Sequence, residues 1–342
     1  MRCMVKVDGS LMGVSPKDAA KQAKTLESQG YDGVFTAETD HDPFFPLLLA
    51  AEHSETLHLG TAITVAFPRS PMQLAQTAYD LTRYSDGRFT LGLGSQIKAH
   101  IEKRFSATWS KPADRMLDYI SALRAIWDCW AHGSKLDYRG EFYNHTLMTP
   151  FFNPGPQAAG IPTVALAAVG PRMTRVAGQV ADGMILHGFT TERYVREVTL
   201  PMVNEGLAAS GRLPADFTYS CPVFIVTGEN DDDTAKAAQA VRQQIAFYGS
   251  TPAYWQVLDM HGWVGVGEKL NALSKAGEWA KMGDLITDEM LDAFAIVATP
   301  DQVARRLHDR FGDVIERVSF YAPYAVPEDL WPSVIADIKA IG

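Results

Sequence analysis

The chain has 342 residues, 46% of them apolar and 21% charged, and 31 basic against 40 acidic side chains leave a net charge of −9. That length suits one large barrel or two ordinary domains of a globular protein, and the acidic balance gives no electrostatic reason to expect nucleic acid or an anionic membrane as partner. No run of about 18 apolar residues marks a membrane span. The N-terminal MRCMVKVDGS lacks the apolar core of a secretory signal, and Cys3, Cys129 and Cys221 are widely spaced, so a reducing cytoplasm with free thiols is expected.

Residues 3–7, CMVKV, read as the first strand. A helix follows, with Ser15 as cap, Pro16 at the first position and Gly30 at the end. YDGVFTA (31–37) is a buried strand, Pro43 opens a helix to about His53, and LHLGTAITVAF (57–67) is the third strand. Ser70 and Pro71 start the next helix, and RFTLGLGS (88–95) is the fourth strand. A polar loop (96–112) carries Trp109. An amphipathic helix (113–131), a hairpin (134–148) and a Pro/Gly-rich connector follow. Strands resume at 162–170, 182–188 and 217–228, with helices between them. A helix spans about 232–247, and residues 248–282 read as irregular, rich in Gly, Trp and Tyr. AIVAT (295–299) is placed as the eighth strand, with Thr299 and Pro300 starting its helix. The apolar run 317–325 then either replaces AIVAT or pairs beside it, and a helix from about 327 ends the chain. Eight strands alternating with helices favour one α/β domain over 1–342. The expected fold is a (β/α)8 TIM barrel with insertions after strands 4 and 7.

In such a barrel the site forms where strands end. Glu38, Thr39, Asp40, His41 and Asp42 follow strand 2. Asp40 and Asp42 can simply cap the helix at Pro43, whereas Glu38 and His41 have no such duty. After strand 4, GLGSQIKAH (92–100) offers Ser95, Gln96 and His100, but Ile97 stands where a dinucleotide fingerprint needs its third glycine. After strand 5, AAVGPRM puts small residues and Arg172 at a helix start, a ready anion site. His187 ends strand 6. No spacing of His, Cys, Asp or Glu suggests a metal site.

YDGVFTAE with HDPF, LGTAITVAFPRSP, SDGRFTLGLGSQ, YRGEFY, AAVGPRM with ADGMILHG, and ATPDQVARRL together resemble the luciferase-like flavin and deazaflavin oxidoreductases, most closely the coenzyme F420-dependent branch. The resemblance implies F420 as cofactor, with FMN the alternative, and a cis peptide at Ala62-Ile63 with Thr64 and Val65 near the ring. It places Ser95, Gln96 and His100 at the ring edge or its side chain, and Ala167, Ala168, Val169 and Gly170 around the phosphate. It implies hydride transfer between the deazaflavin and a small alcohol, carbonyl or enone. His41, oriented by Glu38 or Asp40, is the first candidate for handling the proton and His187 the second. An FMN monooxygenase and a non-catalytic flavin-binding protein are the alternatives, and a homodimer is common in the family. Two departures stand out. The carboxylate–His pair after strand 2 is out of register, and Ile97 replaces a glutamate after strand 4. With no phosphate-gripping lysines evident, a sugar phosphate is not the expected substrate.

Overall fold

Side chains alternate along a strand, so each barrel stave has an outward row against helices and an inward row toward the axis. In the computed structural model, which describes residues 5–341, the staves are β1 (Lys6–Ser10), β2 (Gly33–Thr36), β3 (His58–Thr61) and β4 (Phe89–Gly94). They continue as β5 (Thr163–Ala167), β6 (Gly183–Ile185), β7 (Thr218–Val226) and β8 (Arg317–Tyr321). All neighbours pair in parallel, and β8 closes on β1 through Lys6–Arg317 and Val7–Val318. Val7, Leu59, Leu91, Val164 and Val318 form the buried outward row.

The helical ring runs through α1 (Pro16–Ser28), α2 (Phe44–His53), α3 (Pro71–Tyr84), α4 (Pro112–His132), α5 (Pro171–Val180), α6 (Leu200–Ala209), α7 (Pro300–Phe311) and α8 (Leu330–Ile341). Pro16, Pro71, Pro112, Pro171 and Pro300 each occupy the first turn, where a missing N–H costs nothing. Ser70 caps α3 by accepting from the Gln73 N–H. Ser15 and Thr299 hold cap positions but turn their hydroxyls to Asp18 and Asp301.

Several expectations are corrected. The first strand lies three residues later than 3–7, and residues 1–4, with Cys3, fall outside the described residues. AIVAT is not a stave. Ala295–Val297 pairs only with the end of β7, at Phe224–Val226, while Ser220–Phe224 pairs with Arg317–Tyr321. β7 is nine residues long and overshoots the barrel rim, so it has a partner for both apolar runs. The expected long strand 57–67 breaks after Thr61, and Thr64–Val65 resumes beside Leu93 and Gly94 of β4. The polar loop 96–112 holds a short helix, Lys98–Lys103.

The segment 248–282 is mostly helical, with helices Trp255–Met260 and Val264–Lys275. Its aromatic and glycine content hides the helical period, and packing decides the outcome. It joins helix Asp231–Gly249 and Asp288–Phe294 around a second apolar core that includes Val241, Ile245, Leu258, Leu270 and Met290. This insertion stands over the barrel mouth and brings Tyr248 and Tyr254 to it. Among the described residues no helix is long and apolar enough to cross a membrane.

Gly92 of β4 shows how tightly the break in strand 3 is packed. A Cβ there would lie 1.7 Å from the Thr61 carbonyl oxygen, whereas one on Gly60 would meet nothing closer than 3.8 Å. Gly92→Ala should therefore cost about 3 kcal/mol or more and lower the thermal midpoint by several degrees, with Gly60→Ala nearly neutral in the same melting experiment.

Candidate active site

The C-terminal strand ends enclose a cavity of about 1020 Å³. Small inward residues, Gly60, Ala165, Ala167 and Ser220, leave room for it along the axis. Ala62 and Ile63 after β3, Ser95 and Gln96 after β4, Ala167 to Arg172 after β5, and His187 after β6 all line it. Segments far apart in sequence thus share one mouth.

The wall after β3 is a bulge whose Ala62–Ile63 peptide is cis. Its amides are tied to the end of β2: the Ala62 N–H donates to Thr36 and the Glu38 N–H to Ile63. The Glu38 carboxylate accepts from the Val65 N–H at 2.8 Å and from Arg69 Nη1 at 2.6 and 2.7 Å, with only 7% of its side chain exposed. Arg69 also donates to the Val65 carbonyl and to Asp42, which itself accepts from the Phe44 N–H at the start of α2. Glu38 is therefore a clamp on the bulge. It is engaged by Arg69 and does not orient His41.

The cluster at 38–42 splits accordingly. Asp40 and His41 stand on the exposed outer side of the loop, His41 Nε2 3.7 Å from Asp40 Oδ2, and neither lines the cavity. The Thr39 hydroxyl beside Asp40 holds its carboxyl below the usual range. Thr64 and Val65 are fully buried behind the wall, and His100 sits exposed on the short helix after β4. These five positions do not meet the cavity that Ala62, Ile63, Ser95 and Gln96 line.

At α5 no side chain caps the helix, and Pro171 has no N–H, so the amides of Arg172 and Met173 lie open beside the cavity. A Cβ on Gly170 would meet nothing within 4 Å. Arg172 is anchored to Asp114 at 2.7 Å, Lys111 pairs with Glu141, and Lys98 stands at 3.9 Å from Glu102. All three cations line the rim. Open amides and carboxylate-paired cations thus share this edge.

His187 is a half-buried titratable group of the mouth. Its Nδ1 accepts the Phe189 N–H at 3.0 Å, which places the imidazole proton on Nε2. Burial pushes the imidazole down to about 4, so it is neutral at physiological pH. Tyr254 stacks on it with ring centroids 4.6 Å apart, and Tyr248 meets it edge-on at the same distance. Sequence reasoning missed Arg69, Tyr248 and Tyr321. Tyr248 lay in a segment with no assigned position, Tyr321 in the run of undecided pairing, and Arg69 in a loop whose partner is distant in sequence.

The barrel floor is polar. Arg317 engages both carboxylate oxygens of Asp8, with Nε 2.8 Å from Oδ2, and His58 Nε2 lies 3.0 Å from the Thr90 hydroxyl. Burial pushes His58 down to about 3, and the cations Arg317 and Lys6 add to the shift.

The fold and site define a barrel enzyme with a mostly apolar mouth and a cluster of cations along one rim. Residues 3–316 match the luciferase-like monooxygenase family, and the chain belongs to it. It is 52% identical over 314 residues to an uncharacterized protein of Mycobacterium tuberculosis, spanning 92% of each chain. It is 30% identical over 297 residues to the 5,10-methylenetetrahydromethanopterin reductase of Archaeoglobus fulgidus, spanning 84% of this chain and 83% of that one. Among solved structures, the coenzyme F420-dependent tetrahydromethanopterin reductase of Methanopyrus kandleri has the same fold. The TM-score is 0.77 at 20% identity, over 98% of this chain and 97% of that one.

Removing the carboxylate in Glu38→Ala leaves Arg69 half-buried without its main partner and frees the Val65 amide. A loss of about 3 kcal/mol is expected, read as a lower denaturant midpoint. Two half-buried neutral histidines also make stability depend on pH. The unfolded chain binds their protons below about 6.5, and the folded chain does so only near 4 for His187 and 3 for His58. Their contribution is complete above 6.5 and is lost as pH falls from there toward 4. The slope of unfolding free energy against pH over that window should be shallower in His58→Asn than in the parent.

Proposed function

We propose that this protein is a coenzyme F420-dependent oxidoreductase acting on a small alcohol, carbonyl or enone. The observation that carries the reading is the pairing of an apolar slot, walled by the Ala62–Ile63 bulge, with an uncapped helix start and three cations at one edge of the same cavity. A planar ring with an anionic tail suits that arrangement. The fold is shared with an FMN-bound monooxygenase as well as with an F420-dependent reductase, so the choice of deazaflavin is supported instead by sequence similarity to a putative coenzyme F420-dependent oxidoreductase of Mycobacterium tuberculosis, 27% identical over 312 residues.

The residues that would hold the cofactor are Ala62 and Ile63 against the ring, Ser95 and Gln96 at its edge, and Ala167 to Gly170 with Arg172 at the phosphate. When bound, a deazaflavin supplies a carbon that exchanges hydride with an organic substrate. The chain itself must exclude water, orient the substrate and handle a proton near its oxygen. His187 serves as a hydrogen-bond donor through Nε2–H. A base role is disfavoured because Nδ1 is occupied by the Phe189 amide and burial keeps the ring neutral.

Fluorescence titration should show tight binding of F420 and much weaker binding of FMN, and the reverse order would overturn the cofactor assignment. Arg172→Ala should weaken F420 binding about fivefold with a smaller effect on turnover. His187→Ala should cut turnover by about tenfold or more at nearly unchanged cofactor affinity. Tight F420 binding without turnover across alcohols, aldehydes and enones would instead indicate a non-catalytic binding protein.

A further inference from the structure

The insertion over the mouth builds a feature that cofactor binding does not explain. Tyr248 and Tyr321 place their hydroxyls 2.7 Å apart, and neither makes another hydrogen bond. One proton of the pair is spent between them, and the other is left to donate outward. Burial, with the hydrogen bond shared with Tyr248, pushes the Tyr321 phenol above its ordinary range, so it stays protonated. The Tyr248 ring touches His187, whose Nε2–H is also unspent. Trp109, Tyr254 and Tyr321 complete an aromatic wall lining the same cavity. The cations Lys98, Lys111 and Arg172 are confined to the rim, and Arg317 on the floor is held by Asp8.

From this we infer that the mouth carries a carbonyl-oxygen subsite formed by His187, Tyr248 and Tyr321, and that the substrate is an uncharged aryl or cyclic ketone or enone. Two neutral donors and no base match an acceptor oxygen. The flat aromatic surfaces match a flat apolar body. The inference narrows the substrate class of the proposed oxidoreductase and rests on that reading for the reaction, while the subsite itself rests on the three side chains.

The test is equilibrium binding without reductant, by calorimetry, on cofactor-free protein and on protein saturated with oxidised F420. Acetophenone is compared with α-methylstyrene, which has the same shape but no oxygen, and with glucose 6-phosphate. The ketone should bind about tenfold tighter than the hydrocarbon. That preference should shrink to about twofold or less in Tyr248→Phe, Tyr321→Phe and His187→Ala, with hydrocarbon affinity little changed. Equal binding of the two probes, a preference that survives all three substitutions, or tighter binding of the sugar phosphate would overturn the subsite. A ketone preference in a protein that binds no F420 would overturn the cofactor assignment and leave the subsite standing.

Discussion

The contact on which the mouth depends is the grip of Glu38 on Arg69 and the Val65 amide. Strand β3 cannot run straight through the bulge, so the peptide groups beyond Thr61 need partners outside the regular ladder. The end of β2 supplies them. The Thr36 carbonyl and the Glu38 amide take the backbone, and the Glu38 carboxylate takes Val65 and the guanidinium. On the other side β4 yields space, with glycine where the Thr61 carbonyl presses in. Three neighbouring staves thus fix one short wall. A wall held this way keeps its shape whether or not a ring lies against it, which is the preorganisation a binding surface requires.

Charge is partitioned around that wall. Cations gather at the rim beside the α5 start, and the floor keeps a closed Asp8–Arg317 pair. Between them the mouth holds neutral groups, with His187 kept uncharged by burial. In a poorly solvated pocket a neutral donor costs far less to bury than an ion, and it still discriminates sharply between an oxygen and a methylene. The second apolar core, under the insertion after β7, carries Tyr248 and Tyr254 over the opening, so the stability of an added helical layer decides the shape of the site's roof.

Much of this architecture could be read in advance. The alternation of apolar strands with Pro-initiated helices announces a parallel barrel, because each stave must be buried on both faces and each crossover must return over the sheet. The glycines of LGLG mark a strand end where Thr61 and Ile63 approach closely. The cluster at 38–42 was legible as a strand-end group but not as a division of labour. Its membership alone does not say that Glu38 turns inward to Arg69 while His41 faces solvent. The choice between Ala295–Val297 and Arg317–Tyr321 as the last stave was equally closed to inspection, since both are short apolar runs and only register against β7 separates them.

The sequence by itself determined the barrel, the order of its strands up to the seventh, and the segments after strands 3 to 6 that end at the mouth. These follow from periodicity, proline and glycine, which act over a few residues. Tertiary structure alone decided which of those side chains face the cavity, which stave closes the ring, and that tyrosines 248 and 321, seventy-three positions apart, share a hydrogen bond beside His187. Such outcomes depend on distances between chain segments that no local pattern encodes, because burial and pairing are settled only when the whole sheet has closed.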